Sequence, residues 1–251
     1  MTMDAGVFET TDYYFNQALK LVVYGYSQIK KEKSKKPYSR KEIHRTIKEV
    51  QGSDNAYFQL EDFLRNDIVN NYLKKIRHKF MLTNFSIQPG SEESKQDVRT
   101  GIVDIRFENI SASTLDGTGF IFECKRLNKY AGYQKAYIEE GMMRFVKRRY
   151  YPETGTTLAG MIAFVEVDIV RHKDGFEPVD KVAVRLRERI DLNKDLLRTT
   201  DTLSFYRLED VKYPEISSFK YSYLTKHNRI GSNVGITIHH LLLDYYDILT
   251  S

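Results

Sequence analysis

The stretch that most constrains the fold is Gly101 to Leu127, where two strand-like runs flank a segment rich in Ser, Thr, Asp and Gly. A turn-rich segment between two such runs predicts a β-hairpin. Because successive side chains of a strand point to opposite faces, Glu123 and Lys125 are expected on one face and Cys124 on the other. The second strand therefore places an acid and a base side by side.

A second carboxylate belongs to the first run of this hairpin. Asp104 lies between Val103 and Ile105, so strand alternation places its side chain on the face opposite theirs. The register that buries the apolar residues would bring Asp104 beside Glu123 and Lys125. Nearby carboxylates repel each other, and partial burial adds to the cost. A divalent cation would offset that cost, and a small set of oxygen donors suits Mg²⁺.

The lysine completes the chemistry of the cluster. An ammonium group beside a cation can position or activate a water molecule and offset the charge that develops on a phosphate. Two carboxylates and one lysine in this arrangement predict a site for phosphodiester hydrolysis.

These residues resemble a known signature. Val103-Asp104, a spacer of hairpin length and Glu123-Cys124-Lys125 are similar to the PD-(D/E)XK motif of the restriction-endonuclease-like nuclease superfamily, with Val in place of the usual Pro. The resemblance implies that Asp104, Glu123 and the backbone carbonyl of Cys124 bind Mg²⁺, for which Mn²⁺ can substitute. It also implies that Lys125 orients the attacking water.

The resemblance adds two further candidate site residues. Members of the superfamily often carry a Gln on the helix after the hairpin, here Gln134 within a helix predicted from Tyr130 to Tyr150. They also carry an acid on the helix before the first core strand, here Glu61 within a helix predicted from Asn55 to Phe80. Each has a second interpretation. Gln134 could equally be a core-edge side chain bonded to backbone, and a Glu early in a helix usually faces solvent, which is the favoured interpretation for Glu61.

Hydrophobic periodicity predicts an α/β fold with a mixed sheet. The order helix, strand, strand, strand, helix, strand runs from Asn55 to Val167 and matches the αβββαβ core of the resembled superfamily. We expect residues 1–50 to form an N-terminal helical extension and residues 51–251 to form the nuclease-like domain with additional C-terminal strands. The other predicted elements are helices at 11–30 and after Pro37, a short strand at 84–87 followed by a Pro89-Gly90-Ser91 loop, a helix at 179–196, and strand-like runs at 203–208, 219–225 and 235–249.

Other notable residues have a structural interpretation beside a functional one. The basic segment Lys30 to Arg45 is either a phosphate-contacting arm or, as favoured, a solvated linker or helix end. The segment Lys226 to Arg229 is predicted to be a polar turn that either reaches DNA or, as favoured, is solvated. His239 and His240 lie in an apolar strand, where a core histidine is favoured over a metal ligand. Cys124 is predicted to be a small core residue, not a nucleophile.

Composition limits the partners and the compartment. Lys and Arg exceed Asp and Glu by 39 to 34, a net charge of +5 that mildly favours a polyanionic partner. A single Cys fits a reducing cytoplasm, and the chain shows no long apolar run, so no membrane partner is expected.

These observations predict a Mg²⁺-dependent nuclease that acts on DNA. The resemblance implies a role in defence against foreign DNA, such as that of viruses, in restriction or in repair, of which defence is favoured. The chain has no Walker-type loop, so a separate ATPase or helicase subunit is a compatible partner, as is a second copy of the chain. The alternative is a catalytically silent nucleic-acid-binding or assembly subunit of a defence or repair complex. A toxin-like or RNA-directed nuclease is a third possibility.

Overall fold

The protein is a mixed α/β structure built on one seven-stranded sheet. The computed structural model describes residues 5–51, 59–95, 98–110, 119–150, 156–167 and 176–250. The strands are β1 (Tyr38–Ser39), β2 (Phe85–Lys95), β3 (Val98–Asn109), β4 (Gly119–Leu127), β5 (Leu158–Val165), β6 (Thr199–Phe205), β7 (Ser222–Asn228), β8 (Gly235–Asp244) and β9 (Leu249–Thr250). The large sheet has the order β2-β3-β4-β5-β8-β7-β6, and β1 and β9 form a separate two-stranded parallel pair.

The sheet is parallel at its centre and antiparallel at both sides. Strands β4, β5 and β8 run parallel to one another. Strands β2 and β3 continue the sheet antiparallel on one side, and β7 and β6 do so on the other. Parallel strands covered on both faces read as continuous apolar runs. The segment Leu158–Val165 shows this pattern, since each of its residues after the first is buried.

Helices cover both faces of this sheet. They are α1 (Ala5–Lys33), α2 (Arg40–Gln51), α5 (Val179–Leu192), α6 (Lys194–Leu197) and α7 (Pro214–Ser217), together with two composite helices. Helix α3 consists of Leu60–Asp67, a π turn at Ile68–Leu73, Lys74–Ile76 and a 3₁₀ turn at Arg77–Phe80. Helix α4 consists of Ala131–Ala136, a π turn at Tyr137–Met142 and Met143–Val146. From α3 to β5 the order is helix, three antiparallel strands, helix and a strand parallel to the third.

Helix α1 belongs to the same hydrophobic core as the sheet. Its residues Phe15, Leu19 and Val22 are buried in one cluster with Phe122 of β4 and Ile162 of β5. Helices α4 and α5 pack in a second cluster with the other face of the sheet. The expected boundary near residue 50 therefore does not separate two hydrophobic cores.

Strand β2 corrects the prediction around Pro89. The sequence predicts a loop at Pro89-Gly90-Ser91, but β2 continues through these residues to Lys95. A proline lacks the N–H that a central strand needs, whereas β2 is an edge strand, where proline is tolerated. Gly90 adopts a left-handed conformation with φ of 62°, which a glycine accommodates without strain.

The segment Lys226 to Arg229 is also different from the prediction. It is not a solvated turn, because Lys226, His227 and Asn228 lie in β7 and pair with β8. His227 and Arg229 are buried, and Lys226 and Asn228 are exposed. Burial of the polar His227 side chain is compatible with a strand because both of its ring nitrogens have hydrogen-bond partners, described below.

Both strands of the predicted hairpin are present, as β3 and β4. The turn between them, residues 111–118, lies outside the described residues. The start of the helix predicted from Asn55 likewise lies outside them, and its described part begins at Leu60. Within the described ranges, no helix combines the length and apolar character that crossing a bilayer requires.

Candidate functional site

The structure gathers the predicted residues around the ammonium group of Lys125. Its Nζ lies 2.9 Å from Glu123 Oε1 and 3.8 Å from Asp104 Oδ2. It donates a hydrogen bond of 2.8 Å to the carbonyl oxygen of Cys124. Glu61 Oε1 is a fourth neighbour at 2.9 Å. One nitrogen is therefore surrounded by oxygens from three carboxylates and one peptide group.

Strand pairing explains how Asp104 reaches this point. The paired residues of β3 and β4 run from Glu108 opposite Gly119 to Ile105 opposite Phe122. Immediately beyond the last pair, Asp104 Oδ2 accepts a hydrogen bond of 2.8 Å from the backbone N–H of Cys124. The carboxylate thus bonds the neighbouring strand directly, in place of a backbone carbonyl.

The side chain before Asp104 departs from the predicted alternation. Val103 packs in the cluster that contains Ile121, whereas Ile105 packs in the opposite cluster with Phe122. The prediction that Val103 shares a face with Ile105 is therefore wrong. The departure coincides with the place where the β3–β4 pairing ends, so strict two-residue alternation does not apply across Asp104.

Glu123 is held by Arg144 in the last turn of α4 and by Tyr150, which follows the end of that helix. Arg144 Nη1 donates to Glu123 Oε1 at 2.7 Å, and the Tyr150 hydroxyl donates to Oε2 at 2.7 Å. Arg144 Nη1 also bonds the Tyr150 oxygen at 2.7 Å. The carboxylate of Glu123 is completely buried, and the Arg144 side chain remains 30% exposed. Arg144 therefore reaches both the buried acid and the surface.

Helix α3 adds the remaining two members of the cluster from one of its faces. Residues four apart on a helix are neighbours, and Glu61 and Arg65 have this spacing. Glu61 bonds Lys125 and also accepts the backbone N–H of Arg126 at 2.9 Å. Arg65 Nη1 donates to Asp104 Oδ1 at 2.8 Å. The favoured prediction that Glu61 faces solvent is wrong. Helix α3 packs on the sheet, and the Glu61 side chain points toward β4, where it bonds Lys125 and Arg126.

Gly90 makes room for the Arg65 side chain. A Cβ atom at Gly90 would lie 3.0 Å from Arg65 Nη2. The glycine therefore serves two needs, the left-handed backbone of β2 and the passage of the guanidinium toward Asp104.

The bases of the cluster compensate most of its acids without an added ion. Asp104, Glu123 and Glu61 face Arg65, Lys125 and Arg144, and Asp62 adds a fourth carboxylate through its 2.9 Å pair with Arg65. The sequence-based argument that the acids need a bound cation for compensation is therefore too strong, since it counted only one of the three bases.

Burial and charge perturb the ionisation of these groups. Burial, with a smaller contribution from Asp104, raises the pKa of Glu123 to about 7 against the opposing pull of Lys125 and Arg144. Burial also raises the pKa of Glu61, opposed by Lys125. Burial lowers the pKa of Lys125, but the combined charges of Glu123, Glu61 and Asp104 outweigh it and hold that pKa above its usual value. Lys125 is consequently an ammonium at neutral pH.

A polar cleft of about 260 Å³ opens beside Lys125 and Glu61. Helix α3 contributes Asp62 to its wall, and α4 contributes Tyr133 and Glu140. The Arg126 guanidinium stacks over the Tyr133 ring at 5.0 Å from its centroid. The cleft gives a small polar group a route from solvent to the ammonium.

Gln134 does not join the cluster. Its side chain is buried, as predicted, but the amide donates to the carbonyl oxygens of Asn128 and Lys129 at 3.3 and 3.5 Å. Within the described part of the chain it has no hydrogen bond to Asp104, Glu123 or Lys125. The geometry matches the second interpretation of Gln134, a core-edge side chain that ties the entrance of α4 to the loop after β4.

Tyr137 and the histidines form a separate buried chain of hydrogen bonds. The Tyr137 hydroxyl lies 2.9 Å from His240 Nδ1, and His240 Nε2 lies 2.9 Å from Thr225 Oγ1. Thr225 Oγ1 lies 2.7 Å from His227 Nε2, and His227 Nδ1 lies 3.1 Å from the Leu197 carbonyl. Burial lowers the pKa of His227 to about 4 and that of His240 well below its usual value, so both histidines are neutral at neutral pH. Because the Leu197 carbonyl can only accept, each group of the chain then donates toward Leu197. The two histidines are satisfied core residues and not metal ligands.

Cys124 is buried in the core, and burial raises the pKa of its thiol well above the usual value. It therefore stays protonated, which excludes it as a thiolate nucleophile and agrees with the predicted core role. Its contribution to the cluster is the backbone: the N–H bonds Asp104 and the carbonyl bonds Lys125.

The donor chemistry at Lys125 fits a hard cation. Asp104, Glu123 and the Cys124 carbonyl offer only oxygen, and Mg²⁺ uses one or two carboxylates together with water and substrate phosphate. Across the described residues, no group of three or more His, Cys, Asp and Glu side chains has the arrangement of a metal centre. A cation at this place would thus rely on two side chains and a carbonyl.

Sequence reasoning missed Arg65 and Tyr150 as members of the site. Arg65 has a signal in the sequence, because it follows Glu61 by four positions on the same helix. Tyr150 has none, because it acts after the end of α4 at Val146, beyond the helical periodicity.

The fold and the site together define a mixed α/β protein with a buried carboxylate–lysine cluster at the junction of an antiparallel and a parallel part of its sheet. A scan against protein-family models finds no match for the chain, and searches among curated proteins and among solved structures find no significant similarity.

Proposed function

We propose that this protein is a metal-dependent nuclease of the PD-(D/E)XK type, with a restriction-endonuclease-like core from α3 to β5. The observation that carries the proposal is the convergence of Asp104, Glu123 and Lys125 on one point. Their carboxylate oxygens lie 3.8 and 2.9 Å from a single ammonium nitrogen. Two groups within reach of one nitrogen are also within reach of one small cation.

In the proposed mechanism Asp104, Glu123 and the Cys124 carbonyl would hold Mg²⁺, which would supply charge stabilisation at the phosphate and make a water molecule more acidic. The water oxygen bonds to phosphorus, the bond from phosphorus to the leaving sugar oxygen breaks, the water loses a proton to solvent and the sugar oxygen gains one. Lys125 is an ammonium and has no free lone pair, so it acts by donating. It orients the water through the water oxygen and offsets negative charge on the phosphate.

Arg144 and Arg65 act as positioning residues in this mechanism. Arg65 fixes Asp104 from the side of α3, and Arg144 fixes Glu123 from the side of α4. A carboxylate held by charged hydrogen bonds keeps its oxygens in place for binding.

The proposed substrate is DNA, in keeping with the net charge of +5. The resemblance to the superfamily favours a role in defence against foreign DNA, together with a separate ATPase or helicase subunit or a second copy of the chain. Phosphate contacts supply affinity but not sequence preference, so the proposal names no target sequence.

The test is a cleavage assay on the purified chain. Linear, supercoiled and single-stranded DNA and RNA are incubated with Mg²⁺, with Mn²⁺ or with EDTA. The variants are Asp104→Asn, Glu123→Gln and Lys125→Met, and Lys226→Met is the matched control because it removes a lysine from the exposed side of β7. We expect metal-dependent cleavage that falls by at least about 100-fold in the three site variants, the scale of losing one stabilising group. The control should cleave like the wild type.

One observation favours a second candidate function, a catalytically silent nucleic-acid-binding or assembly subunit. Both oxygens of Glu123 already have strong partners, Lys125 and Arg144 on one and Tyr150 on the other. A site satisfied in this way can serve the fold alone. Binding of DNA or RNA in a gel shift without cleavage under any metal condition, and with equal binding by the Lys125→Met variant, would favour this function over the nuclease.

A further inference from the structure

We infer that Lys125 and the catalytic cation compete for the same oxygens, so that the cation binds only when the ammonium moves into the adjacent cleft. This inference rests on the proposed nuclease function and adds a regulatory property to it. The lysine would then have two positions, one on the oxygens that the cation needs and one at the edge of the adjoining cleft, from which the ammonium orients the attacking water beside the cation.

The contacts of Lys125 support direct competition. Its Nζ lies 2.8 Å from the Cys124 carbonyl and 2.9 Å from Glu123 Oε1, two of the three groups proposed to hold the cation. The third, Asp104 Oδ2, is at 3.8 Å. An ammonium that donates to these oxygens occupies the lone pairs that a cation would use.

Charge balance makes joint occupancy costly. Lys125, Arg65 and Arg144 already match all but one of the four carboxylates, which belong to Asp104, Glu123, Glu61 and Asp62. A dication added to this set would leave one excess positive charge in a buried place, and buried charge without compensation is expensive. One base must therefore move away when the cation enters.

Lys125 is the base whose movement would free the cation's ligands, because its nitrogen lies near all three of them, whereas Arg144 contacts only Glu123 among these three described groups. The four-carbon chain of Lys125 is flexible and its charge is a compact point, in contrast to the planar forks of the arginines. The cleft beside it, about 260 Å³, carries the carboxylates of Asp62 and Glu140 on its walls. These acids offer the ammonium a new partner at the mouth of the site. Arg65 lacks this route, since it is wedged between Asp104, Asp62 and the backbone of Gly90.

The first test measures metal affinity without nucleic acid and without activity. Mn²⁺ is titrated into the wild type, Lys125→Met and the control Lys226→Met by isothermal calorimetry. Removal of a competitor should tighten Mn²⁺ binding by about tenfold in Lys125→Met, within the usual range of coupling between two sites. The control should match the wild type. Equal or weaker binding by Lys125→Met would overturn the inference and leave the nuclease proposal standing.

The second test uses the wild-type chain, so it also decides the matter if Lys125→Met does not fold. Lysines are acetylated briefly with and without Mg²⁺, and the modified peptides are quantified by mass spectrometry. We expect modification of Lys125 to rise several-fold with Mg²⁺, because the ammonium leaves a buried position, while Lys20, paired with Asp210 at 3.2 Å, stays constant. Bound metal with unchanged Lys125 labelling contradicts competition. Absence of metal binding in both wild type and variant, together with absence of cleavage, refutes the nuclease proposal, and the inference falls with it.

Discussion

Removing the Arg65 guanidinium should destabilise the protein well beyond the loss of an ordinary ion pair. Arg65 and Asp104 are each only 8% exposed in their side chains, and their atoms lie 2.8 Å apart. The Arg65→Met substitution keeps an apolar side chain of similar length and leaves Asp104 as a buried charge. Removal of one partner of a buried pair costs about 3–5 kcal/mol.

The expected cost lies at the low end of that range, because Asp104 keeps two other partners. The Cys124 N–H remains at 2.8 Å and Lys125 Nζ at 3.8 Å. For a chain of this size each kcal/mol lowers the melting temperature by about 2–4 °C. A loss of about 3 kcal/mol should therefore lower it by about 6–12 °C. Far-UV circular dichroism is the suitable probe, since the sequence has no tryptophan.

The chain provides a matched control at Arg45. Arg45 and Glu49 form a helix-surface pair at 3.7 Å with side chains 73% and 67% exposed, and such pairs contribute only about 0.3–0.5 kcal/mol. Arg45→Met should shift the melting temperature by less than about 2 °C. A similar small shift in both variants would refute the buried-pair reasoning for Arg65.

A double-mutant cycle isolates the interaction itself. Asp104→Asn removes the charge but keeps an oxygen for the Cys124 N–H. If Arg65 acts through the charge of Asp104, the double variant should lose less stability than the two single losses combined, with a coupling of about 1–3 kcal/mol. Strict additivity would mean that Arg65 acts independently of Asp104, through its pair with Asp62 or through packing.

Two further predictions concern the body of the fold. Burial lowers the pKa of His227 to about 4, so its contribution to stability is complete above the unfolded pKa of about 6.5 and declines as the pH falls toward 4. When the pH falls from 7 to 5, the free energy of unfolding measured with urea should decrease by about 2 kcal/mol more in the wild type than in His227→Gln. Equal decreases in the two proteins would contradict this assignment. Gly160→Ala would place a Cβ in contact with the ring of Phe122, and overpacking of this kind lowers the free energy of unfolding by about 1–3 kcal/mol. The control is Gly132→Ala, whose Cβ would meet no atom within 4 Å. This variant should not destabilise the protein.

The parts of the site that depend on one strand could be predicted from the sequence. Glu123 and Lys125 are two positions apart on β4, so alternation alone puts them on one face, and the structure places their charged atoms 2.9 Å apart. Asp104 also depends on the register of β3. Turn-rich residues and the apolar runs were sufficient to predict that register, although Val103 shows that alternation breaks down next to Asp104.

The parts that depend on packing between distant segments could not be predicted. Amphipathic periodicity predicts that α3 has a buried face, but it does not predict which strand lies under that face. The environment of Glu61, solvent or Lys125, depends on that strand. The same limit applies to Arg144. It lies in the last turn of α4, where a basic side chain is equally well explained by a favourable interaction with the helix dipole. Its contact with Glu123 depends on where α4 crosses the sheet, and a Cβ added at Gly141 on this helix would lie 3.5 Å from Lys125 Cγ.

Helix α4 connects the candidate site to strands that contribute no residue to it. Tyr137, near the middle of α4, bonds His240 of β8, and the bonded chain continues through Thr225 and His227 of β7. Seven residues further along the same helix, Arg144 holds Glu123. Because a buried and fully satisfied polar network fixes the helix at one defined position, the placement of Arg144 depends on the far half of the sheet. The geometry of Glu123 is therefore a property of the whole seven-stranded sheet and not of the hairpin motif alone.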